Sequence, residues 1–216
     1  MATAGLAVVA LGGCASPGEP AVSAPPVSGV KNAPTSSEPS VIDAENTPAL
    51  SPAPIDPGDP SSWLITFDGI GPLTIGGRIS EQRASMTSFT EEMDPNGCPL
   101  AVFRIPGSPM PHLWAAPGDD GDTVSMVAAH GGADPVLAAP GSPKTVVGVG
   151  VGSSEAELLT AYPDTSKVAG RVPDLGHYSL SNGTGRWIHF SIYGPDTFVT
   201  SITVNEWDRP PYEVCG

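Results

Sequence analysis

Basic residues are scarce in this chain. Nine Lys and Arg stand against 23 Asp and Glu, for a net charge of −14. Such a chain is repelled by phosphate backbones and gains nothing from counterion release, which argues against nucleic acid as a partner and against a direct electrostatic grip on anionic lipid. Long apolar runs are missing too. The N-terminal run Ala2–Gly13 falls far below the ~20 residues that a membrane-spanning helix needs. Cysteine occurs at positions 14, 98 and 215 alone, with no CxxC pair.

Catalytic signatures are missing as well. The histidines His112, His130, His177 and His189 form no HExxH pair. His177 and His189 can approach across neighbouring strands, but no third metal ligand accompanies them. His130-Gly131-Gly132 resembles an esterase oxyanion loop without any GxSxG elbow to serve. Ser28-Gly29-Val30-Lys31 fits SxxK, in a segment with no helix to hold the lysine against the serine. Asp119-Asp120-Gly121-Asp122 lacks the spacing and closing Glu of a calcium loop, and reads as a solvated hairpin turn. There is no P-loop and no dinucleotide fingerprint. The expectation is a protein without cofactor or metal that acts by binding.

Proline is abundant where order is not. From Cys14 to about Pro60, eleven prolines are interspersed with Ser, Ala, Thr and Glu. This composition cannot bury enough apolar surface to offset chain entropy, so residues 14–60 are expected to form a disordered tether. Fully extended it would reach ~140 Å; as a flexible coil it would average ~40 Å.

At the start of that tether, Leu11-Gly12-Gly13-Cys14 resembles a bacterial lipobox. The resemblance implies a signal peptide over 1–13 and a diacylglyceryl lipid on the Cys14 thiol. Two acyl chains suffice for stable anchoring. The implied location is extracytoplasmic, on the cell membrane. In such an oxidising compartment, a Cys98–Cys215 disulfide is the simplest use of the remaining cysteines. A loop of roughly 100 residues closed this way is worth up to ~4–5 kcal/mol.

Two segments of the remaining chain look alike. Gly69–Glu81 and Val147–Glu155 each run from short β-rich sequence through a glycine bend to Ser and Glu. Ser154-Glu155-Ala156-Glu157 is a capping box for a helix that Pro163 ends. Ser80 is expected to cap the corresponding first helix, which carries Met86, Phe89 and Met93 at helical spacing before Asp94-Pro95-Asn96-Gly97. Strand-like runs follow each helix: 100–105, 112–116 and 123–129, then 177–181, 186–193 and 197–205. Asn182-Gly183 marks a hairpin. The expected fold is α+β: two tandem helix-plus-antiparallel-meander repeats, at 61–143 and 144–216, forming one sheet or two adjoining sheets.

A glycine–Ser–x–x–Glu helix start followed by a β-meander, present twice, resembles the tandem-repeat fold of the β-lactamase inhibitory protein. It also resembles small envelope lipoproteins of the SmpA/OmlA type. The ending Gly185-Arg186-Trp187 through Val199-Thr200-Ser201-Ile202 to Cys215 is similar to secreted lipoproteins of actinobacteria. The resemblance implies an antiparallel sheet whose exposed face contacts another protein.

Alternation along 186–193 places Ile188, Phe190 and Ile192 on one face and Trp187, His189, Ser191 and Tyr193 on the other. His177 and Ser179 join the second face. The aliphatic face belongs under the helix. The second is aromatic and amphipathic, so Trp187, His189, Tyr193 and His177 are candidate partner-binding residues. Packing of Trp187 and Tyr193 beneath the tether, the Tyr212 tail or the first unit is the alternative. The expected partner is an envelope protein or a cell-wall component. A small wall hydrolase using His177 or His189 with Asp174 is the competing functional reading.

Overall fold

A computed structural model describes residues 55–93, 97–132, 134–170, 175–193, 197–211 and 214. Cys14, the tether to residue 54, Asp174, Tyr212 and Cys215 lie outside the described residues. Among the described residues, no helix is long and apolar enough to cross a membrane.

The fold is α+β and mostly sheet. Three short strands come first: β1 (Leu64–Thr66), β2 (Gly69–Ile70) and β3 (Leu73–Thr74). Helix α1 (Ile79–Ser85) leads into β4 (Thr90–Met93), β5 (Ala101–Arg104), β6 (His112–Pro117) and β7 (Val124–His130). A four-residue helix α2 (Pro135–Ala138) and strand β8 (Lys144–Thr145) precede α3 (Glu155–Ala161). The chain ends in β9 (Lys167–Ala169), β10 (Leu175–Ser181), β11 (Trp187–Tyr193) and β12 (Val199–Asn205).

These strands form two sheets. The larger has eight strands in the order β4-β5-β6-β7-β12-β11-β10-β9, and the smaller has four in the order β3-β2-β1-β8. In the large sheet every pairing is antiparallel. Its halves meet at their last strands, with Ile202 opposite Ala129 and Val204 opposite Val127. In the small sheet, β8 runs parallel to β1 and ties residue 144 back to residue 64.

Each helix entry is sewn to a central strand by the same backbone bonds. Before α1, Gly76 N–H donates to Val124 O (2.8 Å), Val124 N–H to Gly77 O (2.9 Å) and Ile79 N–H to Asp122 O (2.7 Å). Before α3, Gly152 N–H donates to Val199 O (2.8 Å), Val199 N–H to Ser153 O (2.8 Å) and Glu155 N–H to Thr197 O (2.6 Å). Gly152 sits at φ +82°, and a Cβ there would lie 2.5 Å from both Ala139 Cβ and Pro135 O, so the bend requires glycine.

The apolar face of the large sheet, here called proximal, carries Phe103, Leu113, Val127, Ile202, Ile188, Phe190 and Ile192, all buried. Ile79 of α1, Leu158 of α3 and the small sheet's Ile65, Ile70 and Leu73 share that core. Trp63 anchors the chain's entry: its indole donates to Asp56 O at 2.7 Å and its ring tilts against Phe89 at 5.6 Å. Tyr178 ties α3 to β10 through Glu155, its hydroxyl donating at 2.5 Å.

Several expectations need correction. Helix α1 stops at Ser85, with Met86 as its C-cap. Residues 90–93 are not helical; they form β4, paired with β5 from Thr90↔Arg104 to Met93↔Ala101. Ladder pairing along the sheet edge outweighs the helix-like spacing of Met86, Phe89 and Met93. Ser80 does not cap α1. Arg78 holds the N-cap position without a side-chain bond, and pairs with Asp122 at 2.6 Å. The second meander gains a fourth strand, β9, which pairs with β10.

The capping box on α3 is present: Glu157 N–H donates to Ser154 Oγ at 3.2 Å, and Ser154 N–H to Glu157 Oε2 at 2.7 Å. Ser154→Ala is expected to cost about 0.5–2 kcal/mol. Urea unfolding of the variant beside the parent checks this. An unchanged midpoint at equal slope would show that the cap contributes nothing.

Candidate binding face and cleft

The second, distal face of the large sheet collects side chains from both halves. Strand pairing aligns Ser179, His189, Thr203, Ala128 and Trp114 in one row across β10, β11, β12, β7 and β6. A neighbouring row runs His177, Ser191, Ser201, His130 and His112. The face therefore carries all four histidines of the chain. Trp187, His189, Tyr193 and His177 do share it. Trp114, His112 and His130 belong beside them, and period-two alternation along 112–116 and 126–130 carried that signal.

The four candidates have different surroundings. Tyr193 is 55% exposed, whereas His189 is 0% exposed and His177 8%. Trp187 is half-buried and stacks on His189, with ring centroids 6.2 Å apart and planes 6° apart. His177 meets His189 edge-on at 6.2 Å.

His189 is the hub of a closed network. Its Nε2 lies 3.1 Å from Asn205 Oδ1 and 3.0 Å from Trp207 O. Both are acceptors, since Asn205 Oδ1 also receives Trp207 N–H at 3.0 Å. Nε2 therefore carries the proton, and Nδ1 accepts from Ser179 Oγ at 2.8 Å. Asn205 Nδ2 donates onward to Arg209 O at 3.4 Å. This network pins residues 207–209 onto the distal face, so His189 is covered by the chain's own C-terminal segment rather than offered to a partner.

Beyond the pinned residues, the segment leaves a cleft of about 380 Å³ against the sheet. Trp114, Ala128, His130, Ser191, Ser201 and Thr203 line it from the strands, with Leu175 and Tyr193 at the β10–β11 side. Pro210, Pro211 and Val214 of the C-terminal segment complete it. Trp114 stacks on His130, with centroids 5.0 Å and planes 6° apart. Among the described residues, no group of three or more His, Cys, Asp or Glu could hold a metal ion.

Burial holds every histidine on this face below its ordinary pKa of 6.5. For His130 the charge of His112 adds to burial, and for His177 the Arg209 guanidinium does. For His112 burial is again the main cause, with Arg104 lowering and Glu92 raising the value. At His189, burial outweighs the acceptors Trp207 O and Asn205, which favour the cation. His130 Nδ1 accepts Gly132 N–H at 3.0 Å, so neutral His130 also carries its proton on Nε2.

Linkage fixes the sign of the consequence. Below pH 6.5 the unfolded chain takes up protons that the folded histidines refuse, so stability is lost as pH falls from 6.5 through the folded pKa values. The carboxylates with lowered pKa start from 3.8 for Asp120 and from 4.5 for Glu155 and Glu157, and contribute loss only at lower pH. Urea midpoints measured from pH 7.5 to 5 (roughly the histidine range) should decline steadily. A flat profile would show that the distal face tolerates charged imidazoles.

No family model matches this sequence, and no curated protein matches it. Among solved structures it is similar to a DUF4309 family protein, YjgB, from Bacillus subtilis subsp. subtilis, with a TM-score of 0.45 and 15% sequence identity over 62% of this chain and 82% of that one.

Proposed function

We propose that this is a lipid-anchored cell-envelope protein, held on a long tether outside the membrane, whose domain binds another envelope component: a protein or a wall polymer. The observation that supports it is the cleft of about 380 Å³ on the distal face, walled by the C-terminal segment and fronted by the exposed Tyr193. Concave sites with a few convergent polar groups are the usual form of ligand sites. In this reading Tyr193 and Trp187 make contact with the partner. His189 and His177 hold the surface from beneath. The enclosure of His189, 0% exposed, and of His177, 8% exposed, leaves neither an open surface for a substrate, so this reading favours binding over wall hydrolysis.

The same reading takes the two helix-plus-meander segments as a duplicated unit, as the resemblance to the β-lactamase inhibitory protein and to SmpA/OmlA-type lipoproteins implies. It is supported by the matched hydrogen bonds at the two helix entries and by the mirrored strand order of the large sheet.

Affinity capture tests the binding function. The full chain is immobilised and exposed to solubilised envelope extract, beside a Trp187→Ala/Tyr193→Ala variant shown by circular dichroism to be folded. A component retained by the parent and reduced about tenfold or more in the variant is expected, as for loss of interface anchors. Equal retention by both would remove the distal face as the binding surface.

The covalent elements of the proposal are the lipid on Cys14 and the Cys98–Cys215 disulfide. Cys98 is an engaged residue at the approach to β5. Mass spectrometry of the chain isolated from its membrane should find a diacylglyceryl N-terminus at Cys14 and a Cys98–Cys215 cross-linked peptide. A chain retaining residues 1–13, with alkylatable Cys98 and Cys215, would overturn both.

A further inference from the structure

We infer that the distal cleft binds a neutral, polyhydroxylated ligand: a short segment of an uncharged glycan. The inference rests on the binding reading above and names the ligand class of the same site.

The first argument is the absence of charge. Among the described residues, no Asp, Glu, Lys or Arg lines the cleft, in a chain that carries 23 acidic residues and a net charge of −14. Burial keeps His130 in its neutral form near neutral pH. A charged ligand would lose its hydration here and gain no countercharge, which is costly. A neutral ligand meets no such penalty, and the acidic exterior does not repel it.

The second is the supply of uncommitted polar groups. Ser191, Ser201 and Thr203 line the cleft, and their hydroxyls engage no other side chain among the described residues. A hydroxyl both donates and accepts, as each sugar hydroxyl does. Trp114 Nε1 is shut off from water and has no hydrogen-bond partner among the described residues. The side chain lines the cleft with this N–H turned away from solvent, so it is the ring that a ligand would meet there.

The third is the aromatic mouth. Tyr193 is 55% exposed and lines the same cleft. A flat, exposed ring covers the apolar face of a pyranose while its hydroxyl edge is met by Ser and Thr. An extended peptide is served less well. The floor strands β7, β12 and β11 are paired on both sides, so they offer a peptide backbone no free ladder groups.

The test titrates the full-length chain with chitotriose, cellotriose and maltotriose, followed by tryptophan fluorescence, with trigalacturonate as the charged counterpart. At least one neutral trisaccharide should saturate with Kd below about 10 mM, and trigalacturonate should not. Tyr193→Ala should weaken binding about tenfold. Folding of the variant is checked by near-ultraviolet circular dichroism. Absence of saturation by all three neutral sugars, preference for trigalacturonate, or undiminished binding in folded Tyr193→Ala overturns the inference. If the sugars fail while envelope capture yields a protein lost in the Trp187→Ala/Tyr193→Ala variant, the binding function stands and the glycan does not.

Discussion

The pairing of β7 with β12 is the constraint on which the rest depends. These strands are distant in sequence, yet they run antiparallel over five residue pairs, from Ser201↔His130 to Asn205↔Met126. Each four-stranded half alone would end in an open edge and could bury little on its own. Joined, they place Val127, Ala129, Ile202 and Val204 at the centre of a continuous core, each fully buried. The same pairing aligns the opposite-facing residues of both halves into rows. The histidine- and hydroxyl-bearing face is thus a product of the join rather than of either half.

The sorting of the two faces follows from how the helices are attached. Backbone bonds at 76–79 and 152–155 fasten both helix entries to the starts of β7 and β12. Those bonds commit α1 and α3 to the proximal side, where Leu158 and Ile79 enter the core. The distal side is left to polar and aromatic residues and to the C-terminal segment. Asn205 and the Nε2–H of His189 are committed to residues 207–209, while His189 Nδ1 is held by Ser179. The network serves to position that segment, and the cleft is what remains between segment and sheet.

Much of the fold was legible because its signals are local. Alternation located β5, β6, β7, β10, β11 and β12, and the Ser154 capping box located α3. The misses have physical causes. Met86, Phe89 and Met93 have helical spacing, yet Met86 enters the core from the helix end while Thr90–Met93 extends along an edge. Strand β9 consists of Lys167, Val168 and Ala169, all exposed, so it carries no hydrophobic pattern to read. The aromatic face was legible from Trp187 to Tyr193 by parity alone. The enclosure of His189 was not, because it arises from a segment some 18 residues downstream that folds back over the sheet.

The placement of β1 has a mechanical consequence. The chain enters the domain past Trp63 and passes at once into β1, which is bonded on one side to antiparallel β2 and on the other to parallel β8. A pull from the N-terminal side therefore loads the small sheet first, with the bonds of β1 to β8 strained in shear. Tension applied from that side would be met first at residues 63–66 and 144–145, before it reached any strand of the large sheet.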